Sequence, residues 1–341
     1  MVPLALLQLS CFFLLASSSA GGSEPGNDQH NHLMLDRFHR WMAFHGRSYR
    51  DDDEKLRRFK VYRHNVEYIE KTNQDSGLGY QLGENGFTDL TNEKFAARYI
   101  GGRIANNDSK VINEGYVADV GKDNPVKLQV SPPPKKVNWW KKGAVTPAKD
   151  QGDCDLSEQE VLDCDTEPGQ RGCQGGQEKE ALLYIRKKFG IVTEVAYPYK
   201  ARAVYNPKCY NNFAKTARRV GAIYTTVVEV LPAGSEAALT TAVARQPVAV
   251  GIEANANMQF YNNTSGIYTG PCGTKLNHAV VVVGYGRDNV NRVDYWIVKN
   301  SWGSNWGQDG FFYMRKGADG PNGLCGIVRE SGVYPLADLW S

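Results

Sequence analysis

The run Ser131-Pro132-Pro133-Pro134 divides this chain into two parts that obey different periodicities. Consecutive prolines hold φ near about −65° and remove backbone donors, so neither a helix nor a central strand can pass through them. In front of them the apolar residues recur at helical spacing. In HLMLDRFHRWMAFHGRSY, Leu35, Phe38 and Met42 fall at steps of three and four with Trp41 beside them, which predicts an amphipathic helix. Asp51, Asp52 and Asp53 supply N-cap and first-turn negative charge for a second helix, in which Phe59, Tyr62, Val66 and Ile69 repeat the pattern. The two predict a helical hairpin with a shared apolar seam. GYQLGENGFTDL predicts a short strand and turn, and NEKFAARYI another short helix. GGRIANNDSK begins a loop-like stretch that runs to the prolines. Behind them, ALLYIRKKFG predicts a short helix ended by Gly190, while HAVVVVGYG and DYWIVKNSW are β-branched, aromatic runs that predict strands.

With 341 residues the chain has room for two or three compact units. Its first residues, MVPLALLQLSCFFLLASSSA, are apolar and close on small residues, Ser18 and Ala20, as a secretory signal does, although no Lys or Arg precedes the apolar run. The run falls short of the ~20 apolar residues a spanning helix needs, so no membrane association is expected once residues 1–20 are removed. The destination is the secretory pathway, ending outside the cell or in a lysosome or vacuole. A net charge of +3, with Lys and Arg scattered among Asp and Glu, gives no basic patch for nucleic acid. Setting aside Cys11 leaves Cys154, Cys164, Cys173, Cys209, Cys272 and Cys325, an even set that reads as disulfides in an exported chain. Their spacings are wide and His is nearly absent around them, which argues against a metal site. No cofactor is implied.

Five of the six histidines lie at or before His64, leaving His278 alone in the C-terminal part. It opens the HAVVVVGYG strand, where its ring can be held rigidly. Asn300 closes the strand in KNSWGSNWG, where its amide can accept from the imidazole and set the tautomer, and Trp302 is near enough to shield that bond.

Taken together, these segments resemble a papain or cathepsin L-like cysteine protease zymogen over nearly the whole chain. Glu54, Arg58, Tyr62, Asn65, Ile69 and Asn73 match the interspersed ExxxRxxxFxxNxxxIxxxN pattern of the inhibitory propeptide, with Tyr62 in place of Phe. Gly83, Asn85, Phe87 and Asp89 match its GxNxFxD motif. VNWWKKGAVTPAKDQG resembles the mature N-terminus, with Asn138 where Asp is usual, and GCQGG, QPVAVGIEA, NHAVVVVGYG and NSWGSNWGQDGFFYM follow in family order.

The resemblance implies an α+β, papain-like two-lobed fold, with a helical left lobe and a β-barrel-like right lobe, behind a helical propeptide. The segments are a signal at 1–20, the propeptide domain at 31–100, a linker at 101–136 and the peptidase domain at 137–341. It implies Gln151 as oxyanion donor, His278 as general base and Asn300 as orienting amide, with disulfides pairing Cys154 with Cys173, Cys164 with Cys209, and Cys272 with Cys325. Polypeptides are the implied substrates, the chain's own propeptide lies through the cleft until it is cut away near Val137, and the enzyme is a monomer. Gly175, Gly176, Trp302 and Glu330 are implied to contact substrate. With Gln177 and Glu178, Glu330 suggests a polar pocket tolerant of basic side chains.

One stretch departs from the pattern. In KDQGDCDLSEQEVLDC, Cys154 is followed at once by Asp155, Leu156 and Ser157, where the family places some two dozen further residues carrying the nucleophile and its helix. Cys154 stands three positions after Gln151 instead of six and opens no helix, so it is not a substitute. The chain as written is therefore expected to be inactive, with a left lobe weakened by the loss of a helix about 36 Å long. The alternative is a decoy that inhibits related proteases through its propeptide domain.

Overall fold

A computed structural model describes residues 25–75, 77–101, 132–148, 156–167, 170–200, 225–262, 266–317 and 320–337. The expected signal segment, Gln151, Cys154, Cys209 and linker residues 102–131 lie outside these. The chain divides into two units, residues 1–48 and 49–341. In the first, helix α1 (Pro25–Phe44) buries Met34, Phe38 and Trp41, and the Phe38 and Trp41 rings stack with centroids 5.9 Å apart. The buried stripe is therefore 34, 38, 41, one helical sector away from the Leu35–Phe38–Met42 set; Leu35 faces out.

The second unit begins with α2 (Asp52–Asn73) and α3 (Asn92–Tyr99). Asp51 caps α2 by accepting from the Glu54 amide at 2.7 Å, and Thr91 caps α3 by accepting from the Lys94 amide at 3.3 Å. Tyr62, Val66 and Ile69 form the buried face of α2. The strand expected in GYQLGENGFTDL is reduced to a single bridge between Leu82 and Tyr261. Asn85 is the cause: its side chain accepts from the Phe87 amide and its own amide donates to Thr88 Oγ1, closing a local turn in place of a ladder.

The seven strands among the described residues belong to one antiparallel sheet: β1 (Val137–Asn138), β2 (Thr225–Val230), β3 (Val248–Ile252), β4 (His278–Asp288), β5 (Val293–Lys299), β6 (Phe311–Arg315) and β7 (Val333–Ala337). The order is β2-β7-β3-β4-β5-β6, with β1 on β4. Long β4 pairs β3 through residues 278–282, then takes β1 at Gly284 and Tyr285 on the same edge, while β5 lines its other edge. Gly284 permits this: a Cβ there would stand 2.3 Å from the Val137 carbonyl oxygen. In β3 the alternation buries Val248, Val250 and Ile252. Among the described residues β6 and β2 do not pair with each other; the outer edge of β6 instead takes a parallel bridge from Tyr268 at Met314.

The segment from Tyr80 to Phe95 does not form a core of its own. Tyr80, Leu82, Phe87 and Phe95 share one apolar cluster with Tyr261, Tyr268, Trp302 and Phe312 of the sheet side. Buried Gln259 ties the backbones together, donating to the carbonyls of Phe87 and Leu90 at 3.1 and 3.0 Å, while its own carbonyl accepts from Asn85 Nδ2 at 2.7 Å.

Between the sheet's first two strands in sequence stand α4 (Glu158–Cys164) and α5 (Glu178–Lys187), the latter packed against β2 and β7. Ser157 caps α4 and donates to the Tyr197 carbonyl at 2.6 Å. The buried Glu160 carboxylate accepts from Tyr184 Oη at 3.2 Å and the Val192 amide at 2.8 Å. This region, the expected left lobe, is thus joined through polar bonds across its short elements, and its described apolar core is small: Tyr184, Ile191 and Val192.

Candidate active site

His278 and Asn300 lie in sequence at opposite ends of two hydrogen-bonded strands, and antiparallel pairing of β4 with β5 brings those ends together. The imidazole Nε2 stands 2.8 Å from Asn300 Oδ1. The Ser301 amide also donates to Oδ1, at 2.8 Å, so two donors converge on that atom and it is the oxygen of the amide. Nε2 is therefore the protonated nitrogen of the neutral ring, and Nδ1 carries the lone pair. Trp302 lies almost parallel to the imidazole, ring centroids 4.9 Å apart and planes 27° from each other. His278 is 3% exposed and Asn300 5%. Burial pushes the His278 pKa down to about 4, against the Asn300 bond, which favours the cation. The site holds a neutral base of fixed tautomer.

Trp302 is itself covered from the N-terminal side. Its Nε1 donates to the Tyr99 carbonyl at 2.7 Å, and Phe95 meets its face edge-on at 4.9 Å. Gly101 approaches Asn277, the residue before His278: a Cβ on it would lie 3.8 Å from the Asn277 carbonyl oxygen. The chain leaving α3 therefore runs beside the base. Phe95, Tyr99 and Gln259 are the contributors that sequence reasoning missed. The partner of a backbone carbonyl leaves no mark in local sequence, and the isolated Asn-Met-Gln-Phe stretch carries no motif.

The propeptide-motif residues are brought together. Asn65 Nδ2 donates to the carbonyls of Thr88 and Leu90, and Asn73 exchanges two bonds with the Leu82 backbone. Arg58 reaches Glu54 at 3.6 Å and Asp89 at 3.4 Å, Tyr62 Oη bonds Glu84, and Tyr49 Oη donates to Asp89 at 3.0 Å. Ile69 and Phe87 are buried, and Gly83 faces Asn262 so closely that a Cβ would stand 1.8 Å from its Nδ2.

The expected substrate-contacting residues fall into two groups. Trp302 is in the site. Gly175 adopts φ 101°, and a Cβ on Gly176 would meet Gln170 Oε1 at 1.7 Å, so both glycines are required by the turn they make. The Glu178 carboxyl has a buried oxygen without a hydrogen-bond partner; burial, then the charge of Glu330, pushes its pKa up, and Glu330 is raised by burial as well. No group of His, Cys, Asp or Glu among the described residues is arranged to hold a metal ion.

The cysteines need one correction. Cys272 and Cys325 are joined, Cα atoms 5.1 Å apart, and Cys164 is disulfide-bonded to a partner outside the described residues. Cys173, implied to pair with Cys154, is a free, exposed thiol on a short turn at Gly172–Gln174. A disulfide needs Cα atoms about 4.4–6.8 Å apart. Cys154 lies outside the described residues; Leu156, two residues on, is bridged to Thr193.

A sequence description of the papain family cysteine proteases matches residues 154–336, and that of the cathepsin propeptide inhibitor domain matches residues 38–95. Fruit bromelain of Ananas comosus is 37% identical over 342 residues, covering 93% of this chain and 91% of that protein. The senescence-specific cysteine protease SAG12 of Arabidopsis thaliana is 36% identical over 359 residues, covering 96% and 98%. Among solved structures, a recombinant stem bromelain precursor superposes with a TM-score of 0.73 at 35% identity, covering 90% of this chain and 99% of that one. The digestive procathepsin L 3 of Tenebrio molitor larval midgut gives 0.70 at 31%, covering 89% and 99%. No helix among the described residues is long and apolar enough to cross a membrane.

Proposed function

Because this chain belongs to the papain family of cysteine proteases and carries a cathepsin propeptide inhibitor domain ahead of its peptidase domain, we propose that it is an endopeptidase precursor that keeps its general base but has lost its nucleophile. The observation that carries this reading is the course of the chain just after Cys154. Leu156 is already bridged to Thr193, and Ser157 already caps α4. Within three residues of Cys154 the chain has entered the next element, leaving no length for a helix that presents a thiol.

The roles follow from the geometry. His278 Nδ1 is the atom that takes a proton from an attacking group, because Asn300 holds Nε2 and keeps the ring in the tautomer that leaves the lone pair on Nδ1. Gln151 is the oxyanion donor by its place in the motif. Acyl transfer to a thiol needs a sulfur within hydrogen-bond reach of Nδ1, and without it the pair has nothing to activate. Polypeptides are the substrates for which such a cleft is built, export through the secretory pathway fits the leader and the disulfides, and the chain works as a monomer.

The test uses the purified chain, its propeptide removed by an added protease that is then inactivated, with a thiol-directed epoxide and a peptide substrate. Absence of hydrolysis, with no adduct that depends on His278, is the expected result. Hydrolysis that is abolished by an adduct mapped to one cysteine would overturn the reading.

A second reading is favoured by one observation, the depth at which Tyr80, Leu82, Phe87 and Phe95 enter the core of the sheet side. A segment that binds its own peptidase domain this extensively can bind that of a related protease. The segment 31–100 would then inhibit an active relative at micromolar concentration; no inhibition at that concentration removes this reading.

A further inference from the structure

We propose that Asn257 is the specificity-determining residue for docking of the N-terminal segment. Tyr68 and Tyr80 of the segment then accept as partner only a papain-family peptidase domain that presents a carboxamide at this place, which rests on the second reading above and names what such a partner must offer.

Three hydrogen bonds run through Asn257 in one direction. The Tyr80 hydroxyl donates to the Gly270 carbonyl at 2.6 Å, a group that only accepts, so its own oxygen is left to receive a bond. Asn257 Nδ2 supplies it, donating to Tyr80 Oη at 3.0 Å. The amide is thereby turned so that Oδ1 points the other way, where the Tyr68 hydroxyl donates to it. Tyr68 stands on α2 and Tyr80 on the chain that follows it, so two parts of the segment close on one side chain of the peptidase domain. Asn257 and Tyr80 are buried, and a bond lost there is not replaced by bulk water. Only a carboxamide meets both demands. A carboxylate at 257 has acceptors alone and gives Tyr80 Oη no proton, while an aliphatic side chain removes the acceptor of Tyr68 and the donor to Tyr80.

The peptidase side of this contact is firmly built. Asn257 belongs to a short helix, Ala256–Gln259, whose cap Asn255 accepts from the Met258 amide at 3.3 Å and donates through Nδ2 to the Pro271 carbonyl at 2.5 Å. That tie holds the turn bearing Gly270 beside the helix bearing Asn257. The Tyr80 ring packs on that of Tyr268, centroids 4.7 Å apart.

Other bonds across the contact choose less. Gln259 donates to the carbonyls of Phe87 and Leu90, Asn85 to the carbonyl of Gln259, and Trp302 to that of Tyr99. A backbone carbonyl is present whatever the side chain, so such bonds favour docking without matching one segment to one domain. At Asn257 side chains meet side chains, as they do at 3.2 Å between Asn92 and Gln259, and both have to be right. Asn65, Asn73 and Arg58 of the propeptide motif bond within the segment. Tyr68 and Tyr80 belong to neither motif, so this pair can change while the segment keeps its own shape.

The experiment measures hydrogen exchange in the full-length chain, its own variants standing for partners without the carboxamide, each read against the native chain at the same pH. The reporter is the Gly83 amide, which donates across to the Phe260 carbonyl at 2.8 Å, and the amides of β4 are the control. Asn257→Leu is expected to speed exchange at Gly83 about ten- to a hundredfold and to leave β4 unchanged. Asn257→Asp is expected to match it at pH 7 and to recover toward the native rate at pH 4, where a protonated carboxyl again offers Tyr80 a donor; Asn257→Leu recovers nothing. Tyr68→Phe alone is expected to speed exchange about tenfold, and added to Asn257→Leu to add nothing, because the hydroxyl has already lost its acceptor. Tyr68→Phe and the recovery of Asn257→Asp stand on their own where Asn257→Leu does not fold. A change below about threefold at Gly83, equal acceleration across β4, additive effects in the double variant, or no recovery at pH 4 would each overturn the proposal. These outcomes do not depend on inhibition in trans. Coupling at Asn257 with a segment that inhibits no relative removes the second reading and keeps the specificity residue, whereas inhibition without coupling removes the specificity residue alone.

Discussion

Asn300 Oδ1 accepts two hydrogen bonds at once, from His278 Nε2 and from the Ser301 amide, each 2.8 Å long. The second bond holds the amide in place so that the first can hold the ring. Removing the side chain should therefore act on the imidazole itself. Asn300→Ala leaves a buried Nε2–H without an acceptor, at a cost of about 1–3 kcal/mol. It also removes the interaction that favours the cation, so the His278 pKa falls below about 4. Imidazole NMR titration of the variant reads this directly; a pKa that rises would show that the amide does not stabilise the protonated ring.

The depressed histidine also sets a pH dependence. The His278 pKa is about 4 in the folded chain against about 6.5 for an ordinary imidazole. Between those values the unfolded chain binds a proton that the folded chain refuses, so stability is lost as pH falls through that window. The loss approaches about 3 kcal/mol at its lower end. Denaturant unfolding from pH 7 to pH 4 should show this slope in the native chain and a smaller one in His278→Gln. A variant with an unchanged slope would place the titration elsewhere.

Docking of the segment beside the base depends on Gln259, whose side chain is fully buried. Besides donating to Phe87 and Leu90, its Oε1 accepts from Asn92 Nδ2 at 3.2 Å. Gln259→Ala takes one of two donors from each carbonyl, since Phe87 also accepts from the Leu90 amide and Leu90 from Asn65 Nδ2, and removes the acceptor of Asn92 Nδ2, for about 1–2 kcal/mol. Hydrogen exchange should accelerate first in residues 83–99 and at Trp302 Nε1, which bonds the Tyr99 carbonyl. Uniform acceleration across β4 and β5 as well would mean the loss is global instead.

What was legible in the sequence follows from the range of the forces involved. His278 and Asn300 could be placed because a strand's start and a neighbouring strand's end are both local signals, and the antiparallel register does the rest. The helix α2 announces itself through Asp51, whose capping bond spans three residues; the cap of α3, Thr91, is just as local, though its helix is predicted from NEKFAARYI alone. The strand at Leu82 failed because Asn85 satisfies the backbone locally, and a β pattern cannot show that a side chain competes for the same donors. Cys173 is a three-dimensional case: whether a thiol finds a partner depends on Cα distances that local sequence does not carry, and here it stands free and exposed. Gln259 and the Tyr99 carbonyl act across separations of more than 160 residues, where no periodicity reaches.

The short elements around α4 depend on a single carboxylate more than on an apolar core. Glu160 is 5% exposed and receives bonds from the Tyr184 hydroxyl and the Val192 amide, tying α4 to α5 and to the chain after it. Replacing it with Ala removes the acceptor of both bonds and leaves α4 joined to the following chain through Ser157, whose amide donates to the Val192 carbonyl and whose hydroxyl donates to the Tyr197 carbonyl. The penalty is about 2–4 kcal/mol by the cost of unsatisfied buried groups, with a charged acceptor at the upper end. Because the apolar contribution there is confined to few residues, the loss should appear as local melting of residues 156–200 before the sheet unfolds. The Val192 amide reports it in hydrogen exchange, and the Cys173 thiol, already exposed in the native chain, should gain no further accessibility. Glu160→Gln keeps an acceptor for one donor and should recover about half the loss. If Glu160→Ala instead unfolds β3 to β5 in the same step, this region is part of the sheet's own cooperative unit.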